Sequence, residues 1–156
     1  MEKLARFGVE GRQLTPKERW LCFAALFFLG FTATFNQFKV APAIQYIGTD
    51  LGMSVDMLSQ IMGVFSIAGM ILAFPGMWVM QRCGVKSSIV TTACIQLVGS
   101  LICAFSSSAA MFLIGRTLEG VAYGLICVIG PNIMPRLFPL KNQGTCMGIW
   151  SQWTPM

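Results

Sequence analysis

Long apolar blocks alternate with short polar segments along the chain. Four blocks cover residues 20–44, 57–79, 88–105 and 109–133, and a fifth covers 144–156. A transmembrane helix needs about 18 or more mainly apolar residues to cross roughly 30 Å of hydrocarbon, and each of the first four blocks has that length. The fifth block is too short to cross. The pattern therefore predicts four complete transmembrane helices and a truncated fifth.

The residues ahead of the first block predict where its helix begins. Thr15 is suited to the N-cap, Pro16 to the first helical position and Glu18 to the capping-box partner of Thr15. Prolines near the ends of blocks are expected to kink or stop helices. They are Pro42, Pro75, Pro131 and Pro135.

Small residues recur inside the blocks at spacings that allow helices to approach closely. The residues in question are Gly63, Ser66 and Gly69, and the pairs Gly120–Gly124 and Gly144–Gly148. Such small-xxx-small patterns are typical of contacts between transmembrane helices. The sequence predicts packing at these positions rather than ligand binding.

The composition favours lipid over water as the surrounding solvent. Of the 156 residues, 55% are hydrophobic and only 11% are charged. Ordinary soluble domains have about 25% charged residues, so this chain could not cover the surface of a soluble helical bundle. The formal net charge of +5 does not indicate nucleic-acid binding, because the basic residues lie between apolar blocks without exposed aromatics among them.

The distribution of basic residues predicts the orientation in the membrane. The loops on one side contain Asp50 and Asp56 and no basic residue. Nine basic residues lie on the other side: Lys3, Arg6, Arg12, Lys17, Arg19, Arg82, Lys86, Arg136 and Lys141. The positive-inside rule then predicts a cytoplasmic segment, 1–19, and a helical bundle, 20–156, in the plasma membrane. No cleavable signal peptide is expected, because the first block is too long for one.

The chain offers little for metal or enzyme chemistry. Its six cysteines include no C-x-x-C pair, and it has no histidine. Most lie in or beside apolar blocks, so buried reduced thiols are expected, with disulfides or a metal site as the alternative. An enzyme is not favoured, since the blocks contain no nucleophile–base set and no carboxylate pair. No cofactor and no metal are predicted.

Three ionisable residues fall inside the predicted helices: Lys39, Arg116 and Glu119. Each costs about 2.5–3.5 kcal/mol at a helix centre, so all three should face a bundle interior or a watery cavity. Counted at about 1.5 Å per residue, Lys39 and Arg116 both lie roughly 8–11 Å below the outer boundary. Glu119 lies one turn deeper, near the level of Asn36. The charges of the first and fourth helices are therefore expected to share one layer.

Two polar stripes occupy that layer. The stripe of the first helix consists of Thr32, Asn36 and Lys39. The stripe of the fourth consists of Arg116, Glu119 and Tyr123. If the stripes face each other, Glu119 can pair with either cation and leave one positive charge for an anionic solute. The alternative is a structural Arg–Glu pair, with Lys39 extending to the outer interface. The predicted substrate-binding residues are Asn36, Lys39, Arg116, Glu119 and Tyr123.

The residues around Arg116 resemble the motif of a known family. Segment 115–124, GRTLEGVAYG, is similar to the fourth-helix motif of the major facilitator superfamily, an arginine followed by x-x-Gln/Glu-Gly and more small residues. Segment 137–149 resembles the start of the family's helix five. Segment 36–42, NQFKVAP, resembles first helices of its cyanate/nitrate-like branch.

Segment 75–86, PGMWVMQRCGVK, resembles the family's loop between helices two and three, G-x-L-a-D-r-x-G-r-k. The matching residues are Arg82, Gly84 and Lys86, which the resemblance implies form the cytoplasmic gating loop. Gln81 stands where the family has an acidic residue, and Val85 stands where it has the first basic residue after the glycine. The leading glycine is displaced by one position, to Gly76. These three departures imply a weakened gate latch.

The resemblance implies an all-α membrane protein that is the N-terminal portion of a twelve-helix bundle, in which helices one and four line a central cavity. The expected function is secondary active transport of a small, anionic solute by alternating access. The expected partners are that solute, a coupling proton or exchanged ion, membrane lipid and the missing C-terminal half. The alternatives are a non-transporting accessory or assembly subunit and an inactive truncated product.

Overall fold

The computed structural model describes residues 15–83 and 85–152, which form six α-helices and no strand. The helices are α1 (Pro16–Phe38), α2 (Val40–Asp50), α3 (Val55–Cys83), α4 (Val85–Ala104), α5 (Ala109–Leu137) and α6 (Leu140–Ser151). Parts of α1, α4 and α5 are long and apolar enough to cross a membrane, and the described part of α3 contains a shorter apolar stretch, 56–72. The predicted all-α membrane fold is confirmed.

The predicted start of the first helix is also confirmed. Pro16 opens α1, and the Thr15 hydroxyl oxygen accepts a hydrogen bond from the Glu18 backbone N–H at 3.4 Å. The Glu18 carboxylate accepts one in return from the Thr15 backbone N–H at 2.8 Å. This capping box satisfies two backbone donors that a helix N-terminus would otherwise leave without partners.

The first predicted span, 20–44, is interrupted. A turn at Lys39 separates α1 from α2, although Lys39 keeps helical dihedral angles (φ −56°, ψ −28°). Pro42 supplies the physical reason, because it has no N–H to donate to the carbonyl of Phe38 one turn earlier. Gly52 follows α2 in the left-handed region (φ 61°), which glycine adopts without strain.

Other helix ends differ from the sequence prediction. Pro75 lies inside α3, and Pro131 and Pro135 lie inside α5, so these prolines do not stop their helices. Both helices consequently extend four residues past the ends at 79 and 133 that we predicted from hydropathy. The last helix begins at Leu140 instead of 144.

Helix α5 is the common partner of α1, α3 and α4. Its contact with α3 is close because backbone meets backbone at glycines: a Cβ atom at Gly120 would overlap Phe65, and one at Gly124 would overlap Gly69. By contrast, a Cβ at Gly63 would meet nothing within 4 Å. One of the predicted small-residue patterns therefore forms the α3–α5 contact.

Two apolar clusters occupy the interior of the described bundle. One joins α1, α5 and α6 and includes Phe23, Leu26, Ile126 and Trp150. The other lies near the α2–α3 turn and the start of α5; it consists of Val40, Met53, Ile61, Cys103 and Phe112. Between these clusters lie the buried polar side chains of the two helices, which are Thr34 and Asn36 on α1 and Arg116 and Glu119 on α5, so a polar layer separates the two apolar clusters.

Candidate functional site

Glu119 joins the two cations of the polar layer. Its Oε1 lies 2.6 Å from Nζ of Lys39, and its Oε2 lies 2.6 Å from Nη1 of Arg116. The side chains of Glu119 and Arg116 are fully buried, whereas that of Lys39 is 27% exposed. The charges that the sequence placed at one level are therefore in direct contact, and the cluster keeps one net positive charge.

The end of α1 provides further acceptors for these cations. The Asn36 side-chain oxygen accepts a hydrogen bond from Lys39 Nζ at 2.8 Å, and the Asn36 backbone carbonyl accepts one from Arg116 Nη1 at 2.7 Å. The last four carbonyls of a helix lack intrahelical partners, and they carry the negative end of the helix dipole. The break after Phe38 thus makes the end of α1 a favourable place for two cations.

Helix α4 contributes two residues that sequence reasoning missed. The Ser100 hydroxyl donates a hydrogen bond to Glu119 Oε1 at 2.7 Å, and the Gln96 amide donates one to the Thr32 hydroxyl at 2.8 Å. The signal was present in the sequence. Polar residues recur every four positions on α4, at Ser88, Thr92, Gln96 and Ser100. This spacing places them on one face of a helix.

Arg116 uses only part of its hydrogen-bonding capacity. Its Nε and Nη2 atoms are buried and have no hydrogen-bond partner among the described residues. The ring of Phe65, on α3, covers the guanidinium with its centroid 4.4 Å from Cζ. A cation over an aromatic face is stabilised electrostatically, but this contact satisfies neither N–H group.

Tyr123 lies about one turn along α5 from Glu119 and contacts Phe65 of α3. Its ring packs on Phe65 with centroids 5.4 Å apart. It also lines a cavity of about 250 Å³ between α3 and α5. The lining residues are Phe65, Ser66, Gly69, Met70, Tyr123, Gly124 and Cys127. Of the five predicted binding residues, four are thus linked by direct contacts, and Tyr123 packs on Phe65, which covers Arg116.

The side chains of the predicted gating loop lie outside what the structure describes. Gly84 is not described, and neither are the side chains of Arg82 and Lys86.

Five cysteines are free thiols: Cys22, Cys94, Cys103, Cys127 and Cys146. No group able to hold a metal ion is found among the described residues. Cys103 and Cys146 are buried as expected. The expectation of burial is wrong for Cys22, Cys94 and Cys127, which are exposed on helix faces.

Comparison with known proteins gives a family match along most of the chain. The model of the Major Facilitator Superfamily matches residues 26–155. The chain is 28% identical over 152 residues to an MFS-type efflux pump of Pseudozyma antarctica, covering 95% of this chain and 28% of the pump. It is 32% identical over 148 residues to a myo-inositol transporter of Cryptococcus neoformans var. grubii, covering 90% and 24%.

An uncharacterized MFS-type transporter of Mycobacterium tuberculosis is 28% identical over 139 residues, covering 89% of this chain and 20% of that protein. The chain therefore spans only 20–28% of the length of these relatives. No solved structure gives a significant match.

Proposed function

The chain belongs to the major facilitator superfamily, and we propose that it supplies the first helices of a secondary active transporter for a small anionic solute. In this proposal Arg116, Lys39 and Asn36 bind the solute, and Tyr123 lies beside them. Glu119 balances the cations or accepts a coupling proton. An efflux pump and a myo-inositol transporter among the relatives support transmembrane transport of small molecules rather than an enzymatic activity.

The observation that carries the anionic class is the charge balance of the buried cluster. Two cations share one carboxylate, so one positive charge remains uncompensated in the polar layer between the two apolar clusters. An uncompensated charge in such surroundings is costly, so a transient anionic partner would stabilise it. The names of the relatives give no support to the cyanate/nitrate-like branch, and the anionic class rests on the charge of the cluster.

Alternating access requires a second half-bundle that moves against the first around a central site. We propose that this chain forms the N-terminal part of such a transporter in the plasma membrane, with its N-terminus in the cytoplasm. Longer family members, of which the chain matches about a quarter or less, support this arrangement. Helices α1 with α2, α3, α4 and α5 would be its first four transmembrane segments.

A counterflow assay with radiolabelled acetate, benzoate, nitrate and phosphate tests the proposal in proteoliposomes that contain the whole product of the gene. Lys39→Ala and Arg116→Ala should each abolish exchange of the transported anion. Lys141→Ala is the matched control, because it removes an exposed lysine at the start of α6. Unchanged exchange in both cluster variants would refute the site assignment.

An accessory or assembly subunit is the second candidate function. It predicts a stable short product that ends near residue 156 and a partner that covers the open side of the bundle. Sequencing the DNA downstream of codon 156 separates the two. Seven further apolar spans in the same reading frame would exclude the accessory subunit, and an immediate stop codon would favour it.

A further inference from the structure

The two edges of the Arg116 guanidinium have different surroundings. Nη1 donates to Glu119 and to the Asn36 carbonyl. Nε and Nη2 lie on the other edge, and both are buried without a hydrogen-bond partner among the described residues. Parallel N–H groups on one guanidinium edge match the two oxygens of a carboxylate, which can accept both bonds side-on. Buried charged donors of this kind are normally hydrogen-bonded, because leaving them unpaired costs free energy.

Phe65 contacts both the Arg116 guanidinium and the cavity between α3 and α5. Its side chain is 1% exposed, covers the guanidinium and also lines the cavity. Most of the other lining is apolar or small, with a tyrosine ring and a methionine among it. Drug-sized ligands occupy cavities of about 300–1,000 Å³, so the space of about 250 Å³ is suited to a smaller molecule.

We infer that this cavity receives the apolar body of a small monocarboxylate whose carboxylate group binds the Nε/Nη2 edge of Arg116 when the Phe65 ring moves aside. The inference rests on the proposed function, since it takes Arg116 as the residue that binds the transported anion. It adds the chemical class of that anion. The site favours an acid with a short aliphatic chain or a single aromatic ring over inorganic anions and polyols.

The contacts indicate why Phe65 would yield to such a ligand. A carboxylate would exchange one cation–π contact for two charge-assisted hydrogen bonds, which are stronger than neutral ones. The hydrogen bond between Arg116 and Glu119 would stay in place, because it is donated by Nη1 and not by Nε or Nη2. Phe65 then acts as the specificity-determining residue. Its ring moves away from the guanidinium only when a ligand able to fill the cavity is bound.

Protection of Cys127 from alkylation tests the inference without a transport assay. Cys127 is exposed and lines the cavity, whereas Cys22 and Cys94 are exposed thiols outside it and serve as internal controls. The protein in lipid nanodiscs is treated with N-ethylmaleimide in the presence of benzoate, butyrate, benzyl alcohol, formate or nitrate. Labelling at each cysteine is followed by mass spectrometry.

Benzoate and butyrate should slow labelling of Cys127 at concentrations that leave Cys22 and Cys94 unaffected. Benzyl alcohol, which has the ring but no charge, should protect about tenfold less well, and so should formate and nitrate, which have the charge but no apolar body. Equal protection by benzyl alcohol and benzoate, or no protection by either acid, would overturn the inference.

The variant Arg116→Lys separates this inference from the proposed function. Lysine keeps the positive charge but lacks the paired N–H groups, so benzoate protection should weaken at least about tenfold. Undiminished protection in this variant would refute the side-on carboxylate, although an anion site based on charge alone would survive. Loss of anion exchange in Arg116→Ala without any protection of Cys127 by acids would leave the proposed function standing and refute the cavity. The comparison of benzoate with benzyl alcohol in the unaltered protein does not depend on how either variant folds.

Discussion

Glu119→Gln should destabilise the bundle more than any other single removal of a negative charge in the described chain. The carboxylate lies 2.6 Å from each of two cations, and at an effective dielectric constant of about 20 each pair corresponds to roughly 6 kcal/mol of gross attraction. Much of this is offset by the cost of burying the charges. Breaking a buried pair by removing one partner typically costs about 3–5 kcal/mol net, and that is the loss we expect. Glutamine has nearly the same shape, so the loss would not arise from a cavity.

The free energy of unfolding can be measured by circular dichroism during titration of dodecylmaltoside micelles with sodium dodecyl sulfate. Asp56→Asn is the matched control, because it makes the same chemical change at an exposed position in the first turn of α3. Loss of its favourable interaction with the helix dipole should cost about 0.3–1 kcal/mol. The double variant Lys39→Met/Glu119→Gln tests the mechanism, since it returns the cluster to one net positive charge and should regain much of the lost stability.

The reasoning fails if the free energy of unfolding of Glu119→Gln lies within about 1 kcal/mol of that of the unaltered protein. Loss of a buried carboxylate that bridges two cations should cost more than that. It also fails if the double variant is less stable than Glu119→Gln alone. That result would mean that Lys39 contributes to stability through its other contacts, with Asn36 and Ser100, more than it costs through repulsion of Arg116.

Two further predictions concern helix contacts and use the same unfolding assay. Gly124→Ala should destabilise the protein by about 1–3 kcal/mol, because the added methyl group overlaps the α3 backbone. Gly63→Ala is the control and should be neutral or slightly stabilising, since a methyl group there meets nothing. Equal effects of the two variants would contradict the close α3–α5 contact. Thr32→Val should lower the free energy of unfolding more than Gln96→Leu does. Valine leaves the buried Gln96 amide without its hydrogen-bond partner, whereas leucine removes an amide whose oxygen is already unpaired among the described residues. The reverse order would show that the Thr32–Gln96 hydrogen bond does not govern either variant.

The level and facing of the charged residues could be predicted because both follow from counting along regular helices. Rise per residue predicted one level for the charges of the two helices, and helical periodicity predicted facing stripes; the contacts of Glu119 with Lys39 and Arg116 agree with both. Both quantities tolerate errors of a few residues at helix ends. The same local rules predicted the capping box at Thr15, whose geometry depends on four consecutive residues.

Phe65 could not be found from the sequence because nothing local distinguishes it from other apolar residues of α3. Its role depends on which helix packs beside α5 and at what height, and glycine contacts between α3 and α5 determine this. Ser100 had a visible periodic signal, but its meaning also depends on neighbouring helices, since hydroxyl groups in a membrane helix often bond only to their own backbone. Hydropathy did not reveal the helix break at Lys39, but Pro42, whose missing N–H accounts for the break, was expected from the sequence to kink or stop the first helix.

The structural and transport interpretations of the cluster use different atoms of the same arginine. A clamp between α1 and α5 explains Glu119, Lys39 and the Nη1 atom of Arg116, each of which has a partner. It does not use the Nε and Nη2 atoms of that arginine. A lysine could also donate to Glu119 and would not bury a second pair of N–H groups without acceptors, although its more strongly hydrated ammonium would cost more to bury. The Nε/Nη2 edge has no hydrogen-bond partner among the described residues, and burying it unpaired lowers stability. The same edge is complementary to a ligand that carries a carboxylate. The geometry of the guanidinium therefore favours a solute-binding role for this position in addition to the surplus positive charge of the cluster.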